Sequence, residues 1–368
     1  MKRLRLRTNV DNWLTYGLVI VAYVAVRLLL AGGNISYALQ GQLVPITVYI
    51  VMAVSLNLTV GVLGELSLGH AGFMSVGAFS GAITATLLEL LADTTSTTWI
   101  RLGFSTPWIR LSLAMLIGGI IAGIFGFLVG VPVLRLQGDY LAIVTLAFGE
   151  IIKNVMSILY VGYDANGIRV SMDSANALKL DEGGTIIMNG PMGVIGITKL
   201  SSFTAGFILI LITLIIVLNL INSRAGRAIK AVRDDKIATE SVGISVWRYR
   251  MMAFVTSATL AGAAGALYAL NYSSVVARKF DFNTSILVLV FVVLGGMGNI
   301  RGSIIAATVL TVLPEVLRAF NEYRMLTYAV ILIAVMLVRN NATLQHVYKQ
   351  IGARLSKSLP IRKKGDRV

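Results

Sequence analysis

Two ionisable side chains, Glu150 and Lys153, lie in the middle of a long apolar run from Tyr140 to Val161. A charged group at the centre of a bilayer costs roughly 2.5 to 3.5 kcal/mol on insertion scales unless it is paired or hydrated. Because residues three apart share one face of a helix, these two side chains can pair with each other. Two interpretations stay open: a self-compensated structural pair, or a polar lining for a zwitterionic or polar solute.

Two further polar and glycine-rich segments interrupt apolar runs, Glu65 to Gly72 and Gly295 to Gly302. Transporters place broken helices with free backbone groups at their solute sites, although a plain cytoplasmic turn has a similar sequence. The candidate path residues from these segments and from the run around Glu150 are Glu65, Ser67, His70, Thr145, Glu150, Gly295 and Gly296.

Sequence motifs for enzymatic chemistry are absent from the chain. It has no Gly-x-x-x-x-Gly-Lys-Ser/Thr loop to cradle ATP phosphates, no Gly-x-Ser-x-Gly elbow and no His-Glu-x-x-His pair. With no cysteine and only two histidines, a zinc site or a thiol nucleophile is not expected. We therefore expect a chain that is not an enzyme and binds no cofactor or metal, so that any ATP is hydrolysed by a partner.

The elements that must position these residues are membrane helices. Of the 368 residues, 56% are hydrophobic and only 13% are charged, whereas soluble domains carry about a quarter charged residues. A bilayer core about 30 Å thick needs about 20 apolar residues per helix. Ten apolar runs meet or approach that requirement: Leu14 to Ala31, Val44 to Leu63, Ala71 to Leu91, Leu111 to Val131, Tyr140 to Val161, Phe203 to Ile221, Met251 to Asn271, Ser285 to Met297, Arg301 to Arg318 and Leu326 to Val338.

The predicted fold is an all-α polytopic membrane protein with about ten transmembrane segments. The eighth and ninth runs are separated by three residues only, so they form either two helices or one re-entrant hairpin beside eight full spans. Both arrangements give an even count and place the two termini on one side. Lys and Arg accumulate in cytoplasmic loops, and with a cytoplasmic N-terminus 20 of the 32 basic residues lie inside and nine outside. The net charge of +15 therefore indicates membrane topology rather than nucleic-acid binding.

A transmembrane domain, residues 1–338, is followed by a basic cytoplasmic tail, residues 339–368. Within the domain, residues 162–202 form an external loop, for which we expect little regular structure because of its glycines and Pro191. Residues 222–250 form the longest internal cytoplasmic loop, with a pattern compatible with short amphipathic helices. This loop is the expected docking surface for a partner.

Five stretches, in this order, resemble the membrane permeases of branched-chain amino-acid ABC importers, and specifically the longer of the two paired permeases. The first reads Gly-Glu-Leu-Ser-Leu-Gly-His-Ala-Gly-Phe and the last begins Leu-Gly-Gly-Met-Gly. The stretches are Gly64 to Phe73, Leu134 to Ile151, Gly226 to Gly243, Ala253 to Ala269 and Leu294 to Gly302.

The resemblance implies an inner-membrane heterodimer with a second permease, two cytoplasmic ATPase subunits and an external solute-binding protein. It assigns ATPase coupling to Asp234, Asp235, Ile237, Ala238, Thr239 and Gly243. The segment reads Ile-Ala-Thr-x-x-x-Gly here, against Glu-Ala-Ala-x-x-x-Gly in importers generally. Gly243 follows a short predicted helix, where the left-handed conformation that glycine tolerates is often required.

The implied solute is leucine, isoleucine or valine. Related permeases carry urea or short amides, and a fold does not separate such solutes. Glu65 stands where the family usually has a glutamine-like or apolar residue, so solute choice could differ. From other classes, an ATP-independent secondary transporter would need intramembrane acids, of which Glu150 is almost alone, and a structural scaffold would leave the cytoplasmic loop unexplained.

Overall fold

The computed structural model describes residues 2–317 apart from 34–35, 95–105, 137, 165–166 and 182–183, together with 326, 327, 329, 330 and 333. Residues 1–312 form one compact unit, to which all the contacts below belong, and residues 313–368 form a second. Most of the tenth predicted run and the whole basic tail, residues 339–368, lie outside the described residues.

The described chain is mainly helical. Its α-helices are α1 (Lys2–Ala31), α2 (Tyr37–Asn57), α3 (His70–Thr94), α4 (Pro107–Val133), α5 (Asp139–Ile158), α6 (Phe203–Asn222), α7 (Arg224–Asp234), α8 (Lys236–Ser241), α9 (Val246–Ala269), α10 (Phe282–Gly295) and α11 (Ile300–Val316). Seven of them, α1 to α6 and α9, are long and apolar enough to cross a membrane within the part of the chain that the structure describes. The first seven predicted runs therefore coincide with helices.

Small residues hold the centre of the bundle together, where α3, α4 and α9 pack against one another. A Cβ at Gly77 of α3 would overlap the backbone of Gly262 in α9, and one at Gly118 of α4 would lie 2.8 Å from the Gly77 carbonyl oxygen. Such close backbone approach is how helices associate where apolar side chains gain nothing over lipid. The alanine- and glycine-rich sequence of α9 therefore serves packing.

The eighth and ninth runs form two separate helices, α10 and α11, joined by a turn at residues 296–299. Their 14 and 17 residues correspond to about 21 and 26 Å at 1.5 Å per residue, which is less than a bilayer core of about 30 Å. The helices contact each other where Gly295 meets Gly302 and Ser303.

Contrary to the prediction, the segment at residues 162–202 is built around regular structure, and the fold is not purely helical. Strands β1 (Tyr160–Asp164), β2 (Gly167–Ser171), β3 (Thr185–Asn189) and β4 (Val194–Ile195) form a five-stranded antiparallel sheet with β5 (Ser274–Val275), in the order β2-β1-β3-β4-β5. The fifth predicted run is also shorter than expected, because Tyr160 and Val161 belong to β1.

The ends of the helices fall into two groups. On one face, Arg110 of α4 pairs with Glu89 of α3 and donates to Thr198 Oγ1 at 2.9 Å, beside the sheet. On the opposite face, α7 and α8 lie beside the C-terminal end of α2 and the start of α9. The sheet and the short helices therefore mark the two ends of the bundle.

Candidate coupling surface and translocation path

The second membrane helix does not end as an α-helix. After Asn57 it continues as a π-helix, Leu58–Leu63, and stops at Gly64, whose φ of 80° is left-handed. The side chain of Asn57 is fully buried, donates to Ser303 Oγ at 2.9 Å and accepts from the Gly298 N–H at 2.8 Å. Insertions of this kind are often found at functional sites. Asn57, which sequence analysis missed, thus fixes the turn at residues 296–299, which contains the candidate Gly296 and directly follows the candidate Gly295.

An irregular segment at residues 65–69 separates the π-helix from α3 and joins two helices that are each long enough to cross a membrane. The choice between a broken helix and a plain turn stays a prediction. Thr145 Oγ1 of α5 accepts from the Leu68 N–H at 3.0 Å, and a Cβ at Gly69 would overlap the Thr145 carbonyl oxygen. The break therefore contacts the backbone of α5 directly. The hydroxyl of Ser67 is buried and has no hydrogen-bond partner among the described residues.

His70 begins α3 and is fully buried. Its Nε2 lies 2.8 Å from Ser55 Oγ, which itself donates to the Met52 carbonyl at 2.9 Å. Ser55 Oγ, His70 Nε2 and the Met52 carbonyl thus form one buried hydrogen-bonded cluster. His70 thus connects the start of α3 to α2.

Glu150 and Lys153 form the ion pair that their spacing predicts. Glu150 also makes a contact that the sequence did not indicate, because its Oε1 accepts from the Phe282 N–H at 3.1 Å. Asp281 caps the same helix by accepting from the Thr284 N–H at 3.0 Å. Negative groups are favourable at a helix N-terminus. Through this hydrogen bond Glu150 joins α5 to the start of the short helix α10.

The candidate coupling residues lie on or beside the short helix α8: Asp234 ends α7, and Gly243 lies two residues after the end of α8. Asp235 caps α8 by accepting from the Ala238 N–H at 3.0 Å. Gly243 has a φ of 81°, which is the left-handed conformation predicted for it. Thr239 is buried and donates to the Asp235 carbonyl at 2.6 Å. Two apolar side chains project outward, since Ile237 is 83% exposed and Val242 71% exposed.

Glu65 contacts the short helix α8, and it forms no ion pair with the other candidate path residues, all of which the structure describes. Its buried carboxylate pairs with Arg250 at the start of α9 and lies 3.4 Å from Lys236 Nζ, the first residue of α8. Arg250 also donates to the Leu136 carbonyl at 3.1 Å, in the turn after α4. Neither Lys236 nor Arg250 was singled out from sequence, because both lie among many basic residues of one loop.

The described residues thus define a multi-pass membrane protein with a short exposed helix, α8, at one end of its bundle and polar groups buried inside it. The chain belongs to the family of permease components of branched-chain amino acid transport systems, whose model matches residues 39–338. A high-affinity branched-chain amino acid transport permease of Salmonella typhimurium, LivM, is 33% identical over 90% of this chain and 75% of its own length. Escherichia coli LivM is 34% identical over 83% of this chain and 69% of its own length.

More distant relatives indicate how broad the family is. LivH of Salmonella typhimurium, another permease of a high-affinity branched-chain system, is 24% identical over 79% of this chain and 89% of its own length. A nucleoside ABC transporter permease of Lactococcus lactis, NupC, is 26% identical over 56% of this chain and 59% of its own length. No solved structure matches this chain. The chain is therefore a transport permease subunit, similar to members that differ in the solute they are named for.

Proposed function

We propose that this permease forms half of the translocation path of an ABC importer for leucine, isoleucine or valine in the inner membrane. The second half comes from a related permease, as the separate LivM and LivH relatives suggest. Two ATPase subunits hydrolyse ATP on the cytoplasmic face, and an external binding protein delivers the solute. The chain itself hydrolyses no ATP and binds no cofactor.

The observation that carries the proposal is the coupling helix α8. It presents Ile237 to solvent while Lys236, the residue before it, reaches the buried Glu65 carboxylate. A partner that moves α8 therefore acts on the segment at which α2 gives way to α3. In this arrangement the α7–α8 end is cytoplasmic, the sheet is external, and both termini are cytoplasmic.

The proposed path runs along the polar groups inside the bundle. Ser67 and Thr145 lie at the contact between the break and α5, and Glu150 lies at the start of α10. Because α10 is too short to cross alone, its N-terminal end lies at membrane depth, which is where importers expose backbone groups to a polar solute. Both open interpretations of Glu150 are compatible with this position.

An affinity purification of the tagged permease from mild detergent tests the assembly. The expected result is co-purification of an ATPase and a second permease, with loss of the ATPase in Ile237→Asp. Ile168→Asp, which makes the same change at an exposed position of β2 (56% exposed), is the matched control. A chain that purifies alone and moves solute in liposomes without ATP would contradict the proposal.

Reconstituted uptake of radiolabelled leucine tests the solute. Unlabelled isoleucine and valine are expected to compete, whereas a nucleoside, urea and a short amide are not. Competition by urea or the amide alone would reassign the solute while leaving the importer assembly intact.

A further inference from the structure

A basic pocket of about 570 Å³ lies where α1, α6, α7 and the turn before α11 meet. Its lining includes three cationic side chains, Lys230, Arg233 and Arg301, and one carboxylate, Asp234. Arg301 already has partners within the protein, so Lys230 and Arg233 against Asp234 leave an excess of one positive charge among the described lining residues. This excess favours an anionic ligand.

The pocket lies at the level where the membrane helices begin and end. Thr15 is near the start of the apolar part of α1, Trp13–Ala31, and Ile221 is next to the last residue of α6. Trp13, two residues before Thr15, is 77% exposed, as is common for tryptophan at the membrane–water interface. The pocket is therefore at headgroup depth.

An apolar groove of about 640 Å³ starts one helical turn deeper on α1 and α11, whereas on α6 its lining ends at Ile210, eight residues before Leu218 of the basic pocket. From Thr15 and Arg301 in the basic pocket, the lining continues to Leu18 on α1 and Ile304 on α11. On α1 the groove extends to Leu29, about 17 Å further at 1.5 Å per residue. That length exceeds one leaflet of a core about 30 Å thick.

Helix α1 is attached to its neighbours at both ends of this groove. At one end Arg301 Nε donates to Thr15 Oγ1 at 2.8 Å. Near the other end Arg27 donates to Thr204 Oγ1 at 2.7 Å, and within the groove Tyr23 stacks on Phe207 with ring centroids 4.0 Å apart. Only 11% of the apolar part of α1 is buried, so the space between the two attachments is open to lipid.

We propose that one anionic phospholipid binds here, with its phosphate in the basic pocket and an acyl chain in the apolar groove between α1, α2, α6 and α11. Basic pockets between membrane helices on the cytoplasmic side recognise anionic headgroups. The groove supplies the apolar half that a free phosphate could not use. Among the described residues that line the site, none belongs to α8 or is a candidate path residue, although Asp234, a candidate coupling residue at the end of α7, lines its basic pocket.

Lipid retention by the purified transporter complex tests the site. Lipids are extracted from the complex and quantified, and the washed complex is then titrated with phosphatidylglycerol or phosphatidylethanolamine in native mass spectrometry. About one phosphatidylglycerol per permease is expected to be retained, and phosphatidylethanolamine to bind more weakly. Lys230→Gln should weaken phosphatidylglycerol binding about fivefold, because each basic residue near a membrane surface contributes attraction of that size.

Matched variants separate the headgroup from the acyl chain. Arg227→Gln removes the same charge from an exposed position of α7 outside the pocket and should change nothing. Ala22→Trp fills the groove and should weaken lipid binding, whereas Ala25→Trp, on α1 outside the groove, should not.

Four results would overturn the proposal. The first is equal lipid retention in all variants, and the second is equal affinity for the two lipids. The third is competition by inorganic phosphate with no effect of Ala22→Trp, which would reassign the pocket to a soluble anion. The fourth is lipid bound to the isolated chain but absent from the assembled complex, which would mean that a protein partner covers the groove.

Discussion

Replacement of Glu65 by glutamine probes the contact between the broken helix and the coupling helix. The carboxylate is 9% exposed and its main partner, the Arg250 side chain, is 6% exposed. Removing one partner of a buried ion pair costs about 3 to 5 kcal/mol, because the other charge remains buried. Arg250 keeps two carbonyl acceptors, Leu134 O and Leu136 O, so we expect the lower end, about 3 kcal/mol.

The second partner, Lys236, is expected to contribute much less to stability. Its side chain is 35% exposed and its Nζ lies 3.4 Å from the Glu65 carboxylate. Pairs with exposed partners are worth about 0 to 1 kcal/mol. Lys236→Gln is therefore the matched control for stability, although it removes the link to α8.

Thermal unfolding of the purified complex in detergent measures the difference. Glu65→Gln should lower Tm by on the order of 5 to 10 °C, and Lys236→Gln by much less. In the double variant Glu65→Gln/Arg250→Gln the loss should be smaller than the sum of the two single losses, since no buried charge is left unpaired. Equal shifts in Glu65→Gln and Lys236→Gln, or strict additivity in the double variant, would refute the argument.

Three further predictions concern backbone space, coupling and the path. Gly61→Ala should prevent stable assembly, because its Cβ would lie 2.9 Å from the Gly298 Cα. Gly41→Ala on the same helix is the control and should be tolerated, since its Cβ would have nothing within 4 Å. Gel filtration of the two variants measures the difference. Gly243→Asp should leave an inserted complex whose ATP hydrolysis no longer responds to loaded binding protein, because it adds a charged side chain at a left-handed φ of 81° on the proposed docking surface; normal stimulation would contradict this. Glu150→Gln should lower uptake without loss of assembly, and unchanged transport would leave Glu150 with a structural role alone.

The membrane helices were predictable because apolar length is a local property of the sequence. The first seven runs match helices of the structure within a few residues at most ends. The sheet was not predictable in this way, because its strands have five residues or fewer and β4 pairs with β5 from a distant part of the chain. Tyr160 and Val161 also continue the apolar run of α5, so the pattern of apolar residues did not distinguish the start of β1 from the end of α5.

The candidate site was predicted as segments but not as contacts. Sequence indicated Glu65 as an unusual acid in a broken helix, yet its partner Arg250 lies 185 positions further on, in a loop with several equivalent cations. Asn57 carried no signal, since a single amide inside an apolar run is common in packed helices. The Glu150–Lys153 pair was predictable because its two members lie one helical turn apart.

The contact made by Asn57 has a consequence for hydrogen exchange. The amide proton of Gly298 lies in an exposed turn, where exchange with solvent is ordinarily fast, yet it is donated to a fully buried side chain of α2. Its exchange therefore requires that α2 and the α10–α11 turn separate, so its protection should follow that of the helix interior. The exchange rate of the Gly298 amide therefore measures, from within a loop, an opening that separates α2 from α10 and α11.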